Sequence, residues 1–199
     1  MYIFIEKCPK KSYTSRVIAG WCNGNTPAFE AGAPGPIPGP AAVNIETLIE
    51  IINGWPELKR VKVISEERIR EQEHGIATLY NDRRLYFVFN PIQGLLYKLE
   101  GKYEYRYMNG ENKADVRDRV RSFLSTLVRE YSQQKVLIIS HHLTLLCLRA
   151  NLERWTREMF VKIDKTEKPI NCGVTIYKGD FRKGTDGKLM LKSYNGKLY

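Results

Sequence analysis

Lys135-Val136-Leu137-Ile138-Ile139-Ser140-His141-His142 is the stretch on which the fold turns. Val136 to Ile139 is an unbroken apolar run, the signature of a strand buried on both faces. It stops at three polar residues, and a second apolar run, from about Leu143 to Leu152, has the length of a helix. A strand that feeds a helix through a polar turn is the unit of an open α/β sheet, where ligands sit outside the carboxyl ends of the strands. His141 stands at such an end. The helix start beside it offers free backbone N–H groups that favour an anion, and an imidazole in that place can donate a hydrogen bond to a phosphoryl oxygen.

The same rhythm recurs on both sides. Asn112, with Asp115 three residues on, reads as the cap of a helix whose apolar face is Val116, Val120, Phe123, Leu124, Leu127, Val128 and Tyr131. Arg117, Arg119, Arg121 and Arg129 fall mainly on its wet side. Earlier, Ile45, Leu48, Ile49 and Ile52 recur at helical spacing, with Asn44 as cap and Gly54 and Pro56 as stop. Val61 to Ile64 reads as the strand that follows. Tyr2 to Ile5 reads as the first strand and Val174 to Tyr177 as the last, followed by a basic tail with a turn at Asp186-Gly187.

Two regions break the rhythm. The stretch after Ile5 reads as irregular, and about 20–43 is Pro/Gly-rich. Its residues 31–42, AGAPGPIPGPAA, suit neither a helix interior nor a central strand, because proline fixes φ and removes a donor. About 76–108 is rich in tyrosine and arginine without a strong period, and reads as an insertion or lid over one end of the sheet. The expectation is one domain spanning 1–199.

Composition narrows the class. Charged residues make up 27% of the chain and hydrophobic ones 43%, a globular balance. No apolar run approaches the roughly 20 residues that span a bilayer, and Met1 to Ile5 is too short and too quickly followed by Glu6-Lys7 for a secretory signal. No membrane partner is expected. Cys8, Cys22, Cys147 and Cys172 are too widely spaced for a zinc site or a small disulfide scaffold. They read as reduced core thiols of a cytoplasmic protein, and no metal or cofactor is expected. The net charge of +10 favours phosphorylated ligands or polyanions by long-range attraction.

A dense charged stretch, Glu66-Glu67-Arg68-Ile69-Arg70-Glu71-Gln72-Glu73-His74-Gly75, follows the strand at Val61. A carboxyl placed there can protonate a leaving oxygen. Together with the Ser-His-His turn it carries a resemblance. ISEERIREQEHG resembles the acid-bearing segment of the histidine phosphatase (phosphoglycerate mutase-like) superfamily, an RL.E...G pattern after a strand. NGENKADVRDRVRSFLSTLV is similar to that family's GES…RV..FL helix, and KVLIISHHLTLLCLRANL to its strand–Ser-His–helix segment. The three occur in the family order over about 120 residues.

The resemblance implies an α/β three-layer sandwich with a central, mostly parallel sheet. It places Glu71 at the general-acid position and His141 at the phosphate-binding histidine, with Ser140 and His142 beside it as substrate-binding residues. The implied ligand is phosphate or a phosphorylated small molecule. In the family, a first histidine takes the phosphoryl group, arginines and the second histidine hold its oxygens, and the acid protonates the leaving group. That first histidine lies in an Arg-His-Gly motif after the first strand. Here Glu6-Lys7-Cys8-Pro9 follows, and all three histidines, His74, His141 and His142, lie downstream. Val43-Asn44 stands where a second phosphate-binding arginine is expected.

The nucleophile is therefore unassigned. The chain is a degenerate member, or its N-terminal stretch departs from an active ancestor, or His142 or Cys8 has taken over. The function expected is binding or weak hydrolysis of a phosphomonoester, with a non-catalytic binding or regulatory role as the alternative. A nucleic-acid role, suggested by Tyr97, Tyr103, Tyr105, Arg106 and Tyr107, ranks below both, for no recognised binding signature supports it. Oligomeric state is left open.

Overall fold

The computed structural model of the chain describes residues 2–6, 15–20, 49–51, 53–54, 62–80, 82–131, 134–180 and 188–197. Six strands form one sheet: β1 (Tyr2–Glu6), β2 (Ser15–Gly20), β3 (Lys62–Glu66), β4 (Lys135–Ile139), β5 (Val174–Asp180) and β6 (Lys188–Gly196), in the spatial order β3-β2-β4-β1-β5-β6. β2 runs parallel to β3 and to β4, and β1 parallel to β5. β1 against β4 and β5 against β6 are antiparallel, so the sheet is mixed with a parallel majority. The expected strands at Tyr2, Val61, Val136 and Val174 are all present, with ends that differ by one to three residues.

Two strands differ from the sequence expectation. β2 falls in the stretch read as irregular, yet it lies between β3 and β4, with Ile18 opposite both Ile64 and Ile138. Val17-Ile18 is too short an apolar run to stand out amid polar and turn-forming neighbours. β6 occupies the expected basic tail. Its pairing with β5 is broken by register shifts between Val174 and Tyr177, which blurs the period-2 alternation that would announce a strand. The turn expected at Asp186-Gly187, the Pro/Gly-rich loop and the cap at Asn44 lie outside the described residues. Of the helix expected after Asn44, residues 49–51 and 53–54 are helical.

The helices are α1 (Arg83–Phe89), α2 (Pro91–Glu104), α3 (Lys113–Glu130), α4 (His142–Leu152) and α5 (Arg157–Thr166). α3 begins with a reciprocal capping box: Asp115 N donates to Asn112 Oδ1 (2.8 Å) and Asn112 N donates to Asp115 Oδ2 (2.9 Å). Its buried side chains Val116, Val120, Phe123, Leu124 and Leu127 meet α4, where Leu143 to Ala150 are all buried, and Val136 and Ile138 of β4. Val128, expected on that apolar face, is exposed. A helix buried on every side is a core helix, and α4 is fixed along Leu143 to Ala150. That rigidity sets where His141 stands.

Within the stretch expected to be an insertion, α1 and α2 form a helical hairpin, although the sequence there shows no strong period. Asp82 caps α1 by accepting from Arg84 N (2.8 Å), and Asn90 closes it with its side-chain amide on Tyr86 O (2.9 Å). Pro91 opens α2 in the one place a helix welcomes proline. Its inner face joins Tyr86, Phe87, Leu96 and Tyr97 to Ala77, Tyr105 and Tyr107 in a second core. Its outer face is also apolar, and two apolar faces cancel a 3.6-residue signal. Of the tyrosines considered for base stacking, Tyr105 packs edge-on to Tyr97 (5.2 Å) and to Tyr107 (5.1 Å), and Tyr103 edge-on to Phe160 of the main core (5.1 Å). Among the described residues no helix is long and apolar enough to cross a membrane.

Candidate functional site

The acid segment leaves β3 through a short 3₁₀ turn, Glu67–Ile69. Glu66 caps it by accepting from Arg68 N (3.0 Å), and Ile69 anchors it in the main core with no exposed surface. From there the backbone has no regular partner, and side chains take up its carbonyls one by one. Arg119 Nη1 donates to Arg68 O (2.7 Å), Ser140 Oγ to Ile69 O (2.6 Å), Thr144 Oγ1 to Arg70 O (2.6 Å) and Arg119 Nη2 to Glu71 O (3.1 Å). Four consecutive carbonyls are thus held by α3, by the end of β4 and by α4. Buried carbonyls left unpaired are costly, so the loop has one stable path.

Glu111 organises the other side. It accepts from Arg119 Nε (3.0 Å) and Nη2 (3.2 Å), from Arg70 Nη2 (3.2 Å) and from Glu73 N (3.0 Å). Its own N donates to Glu73 O (2.8 Å), and Ile76 N donates to Met108 O (3.0 Å). The two segments cross so closely that a Cβ on Gly75 would stand 2.0 Å from Met108 O, and one on Gly110 2.7 Å from Glu73 O. Gly75 also has φ of +52°, which glycine adopts without steric cost.

At the end of this scaffold Glu71 Oε2 lies 3.5 Å from His141 Nδ1. The sequence had paired these residues across 70 positions, and the fold brings their side chains together. His141 is the N-cap of α4 in extended conformation, and its side chain makes no capping bond, so the positive end of the helix is not sealed by a side chain. Burial drives the His141 pKa below the ordinary histidine value; Glu71 pulls it back up and Arg119 pushes it further down. The imidazole is therefore neutral near pH 7, with one N–H to donate.

Ser140 is 2% exposed, with its hydroxyl on Ile69 O. His142 turns to a different carboxylate: its Nε2 lies 3.3 Å from Asp164 Oδ1 on α5. Asp164 is also bound by Lys102 Nζ (3.0 Å) and by Lys113 Nζ. Burial raises the Asp164 pKa, but the hydrogen bonds from His142, Lys113 and Lys102 outweigh it and hold the carboxyl well below its usual range. The two adjacent histidines thus belong to separate charge clusters. His74, the third, packs edge-on against Tyr107 (5.0 Å).

Arg119 and Glu111 went unassigned in the sequence. The helical phase puts Arg119 with the arginines on the wet face of α3, yet its side chain is 14% exposed, as is that of Glu111. Only the position of Glu111 in the GEN triplet hinted at a role. Of the thiols, Cys147 is fully buried in the core, and burial pushes its pKa up to about 12. Cys172 is exposed, unlike the core thiol expected. Cys8 and Cys22 lie outside the described residues. A cavity of about 770 Å³ is lined by Asn151 and Leu152 at the opposite end of α4, with Arg121 and Arg154. It contains neither Glu71 nor His141, and no acid lines it, so proton transfer points to the Glu71–His141 pair instead.

With this geometry in place, comparison with known proteins is informative. The family model for the histidine phosphatase superfamily (branch 1) matches residues 47–185. A phosphoglycerate mutase-like protein of Arabidopsis thaliana is 30% identical over 136 residues, 63% of this chain and 45% of that protein. A broad-range acid phosphatase of Saccharomyces cerevisiae is 32% identical over 108 residues, 50% of this chain and 30% of that protein. The chain spans less than half the length of these curated relatives. Among solved structures, a mycobacterial glucosyl-3-phosphoglycerate phosphatase in complex with inorganic phosphate aligns with a TM-score of 0.56 at 17% identity, over 76% of this chain and 72% of that one. Bacillus stearothermophilus YhfR aligns at 0.58 and 16%, over 94% and 75%. At such identities the structural likeness speaks for the fold.

Proposed function

Since the chain belongs to the histidine phosphatase superfamily, we propose that it binds phosphomonoesters at the Glu71–His141 site and hydrolyses them weakly or not at all. The observation that carries this reading is the approach of Glu71 to His141 at 3.5 Å, on the two segments that resemble the acid and histidine segments of the family. The mycobacterial relative solved with inorganic phosphate supports the ligand class. The neutral His141 donates to a phosphoryl oxygen, and the N-terminal amides of α4 add further donors. Glu71 in its protonated form gives its proton to the ester oxygen as the P–O bond breaks. Ser140 contributes by fixing Ile69 and hence the acid loop, and His142 by lending positive charge when protonated. The whole is read as the three-layer sandwich of the family, working in the cytoplasm.

Weak turnover follows from the sequence. No histidine precedes His74, so no imidazole follows β1 to accept the phosphoryl group. Water then attacks phosphorus directly, its proton leaves to solvent, and the products are inorganic phosphate and the alcohol. Protease-type enzymes stripped of a nucleophile keep roughly 10³–10⁴-fold over the uncatalysed rate, and a residue of that order is expected here. The same absence favours the second reading, a binding or regulatory protein without turnover.

A generic aryl phosphate assayed at acidic and neutral pH, with mass spectrometry for a phosphorylated residue, tests both. Slow turnover, lost in Glu71→Gln and in His141→Ala, supports weak hydrolysis, and none at all supports the binding role. Robust turnover with phosphate trapped on His142 or His74 contradicts both.

A further inference from the structure

The cavity of about 770 Å³ at the far end of α4 takes no part in the Glu71–His141 site, yet its wall is cationic. Arg121 and Arg129 reach it from α3, Arg154 from the turn after α4 and Lys188 from the start of β6, and among the described residues no acid lines it. Val128 and Leu189 add apolar surface to the same wall. Neighbouring carboxylates stand outside the lining. Asp118 lies 3.4 Å from Arg121 and Glu130 3.0 Å from Arg129, in exposed pairs that are worth little. Asp180 is opposite Lys188 in the β5–β6 pairing, and Glu153 binds Arg149, Trp155 and Tyr177.

Arg154 supplies an independent observation. Trp155 N donates to Ala150 O (2.9 Å), the closing bond of a Schellman turn, and Arg154 just before it has φ of +56°. That place at a helix end favours glycine, because a side chain there carries a steric cost. The sequence has arginine instead, and among the described residues its guanidinium makes no hydrogen bond or ion pair. A side chain held at a steric cost and without an internal bond suits a role in binding. Glu153 N donates to Arg149 O (2.8 Å), so this and the Schellman bond occupy carbonyls at the negative end of α4 and soften its repulsion of an anion.

We propose that this cavity binds an organic polyphosphate, an anion of several charges on an apolar or aromatic body. The volume lies in the range of small-molecule pockets, roughly 300–1,000 Å³. Arg121 and Arg129 are set about 12 Å apart along α3, a span that suits several charges better than one. Val128 and Leu189 offer the apolar contact that a ring takes up and a bare phosphate chain does not. About 16 Å of helix separates this place from His141, so the two anion sites are distinct.

The test is isothermal titration calorimetry of the full chain with adenosine triphosphate. Saturable binding is expected in the wild type and in His141→Ala alike. Arg154→Gly should lower the affinity about tenfold, the effect of one charge-assisted hydrogen bond, with a urea midpoint no lower than that of the wild type. Its affinity for inorganic phosphate at the Glu71–His141 site should be unchanged, so failure of either site shows separately. Lys165→Gln removes an equal charge from the exposed side of α5 and should leave the affinity for adenosine triphosphate as it is. If Arg154→Gly does not fold, Arg121→Gln on the exposed side of α3 takes its place. No binding by the wild type, or binding abolished in His141→Ala, overturns the proposal. Equal losses in Arg154→Gly and Lys165→Gln overturn it in favour of general attraction to a basic chain. Inorganic tripolyphosphate that binds as tightly as adenosine triphosphate overturns the organic ligand in favour of charge alone.

Discussion

The acid segment from Glu66 to Gly75 and the hairpin from Asp82 to Glu104 lie one after the other in the chain, yet opposite kinds of interaction hold them. The first has one deep apolar anchor, Ile69, and is otherwise fixed by side chains that bind its carbonyls: Arg119, Ser140 and Thr144. The second is held by helical bonds, interrupted at Gly101, and by a cluster of aromatic rings. Directional bonds place Glu71 within a narrow range of positions, as proton transfer requires. Ring packing tolerates substitution and small shifts, which suits a cover more than a catalytic group. Precision is thus concentrated where chemistry is expected.

If that contrast is right, damage to the acid segment should cost far more than damage to the hairpin. The largest effect is expected for Gly75→Ala, whose Cβ would meet Met108 O at 2.0 Å. A loss of about 4 kcal/mol, at the severe end of single substitutions, should appear in urea denaturation. Arg119→Ala removes one of the two arginines on Glu111 and two carbonyl bonds at once, and about 3 kcal/mol is expected for breaking such a pair. Ser140→Ala leaves Ile69 O without its hydroxyl donor, for about 1–2 kcal/mol.

The pH dependence sharpens the same contrast. The folded state depresses the His141 pKa below the ordinary value of 6.5, so below that value the unfolded chain binds a proton that the native one does not. The stability this neutral histidine contributes is fully present above pH 6.5 and is lost as pH falls towards the depressed native value. Urea midpoints at acidic and neutral pH should therefore differ less in His141→Gln than in the wild type. The smallest effect is expected in the hairpin: Ile92→Glu, on its outer face, should change the stability of the dilute chain by no more than about 0.5 kcal/mol.

Legibility in the sequence follows the same division. Glu71 and His141 could be found because each stands at a fixed offset from a strand end, within a local pattern. Arg119 and Glu111 could not, because what distinguishes them is a set of partners 38 to 51 residues away in the chain. An arginine facing solvent and one reaching carbonyls across a groove have the same helical phase. The pairing of His142 with Asp164 escaped for the same reason, being a contact between helices. The core of α3, α4 and β4 was readable from periodicity and apolar runs. β2 and the hairpin were not: one is too short an apolar run, and the other is apolar on two faces.

The central claim is that Glu71 and His141 form one phosphate site, with His141 as the binding group and Glu71 as the proton donor. Titration with inorganic phosphate, followed by thermal stabilisation, tests it most directly in the wild type, His141→Ala and Glu71→Gln. The account predicts saturable stabilisation of the wild type, affinity reduced at least about tenfold, or 1.4 kcal/mol, in His141→Ala, and little change in Glu71→Gln. Equal stabilisation of all three proteins, or none in the wild type, would contradict it.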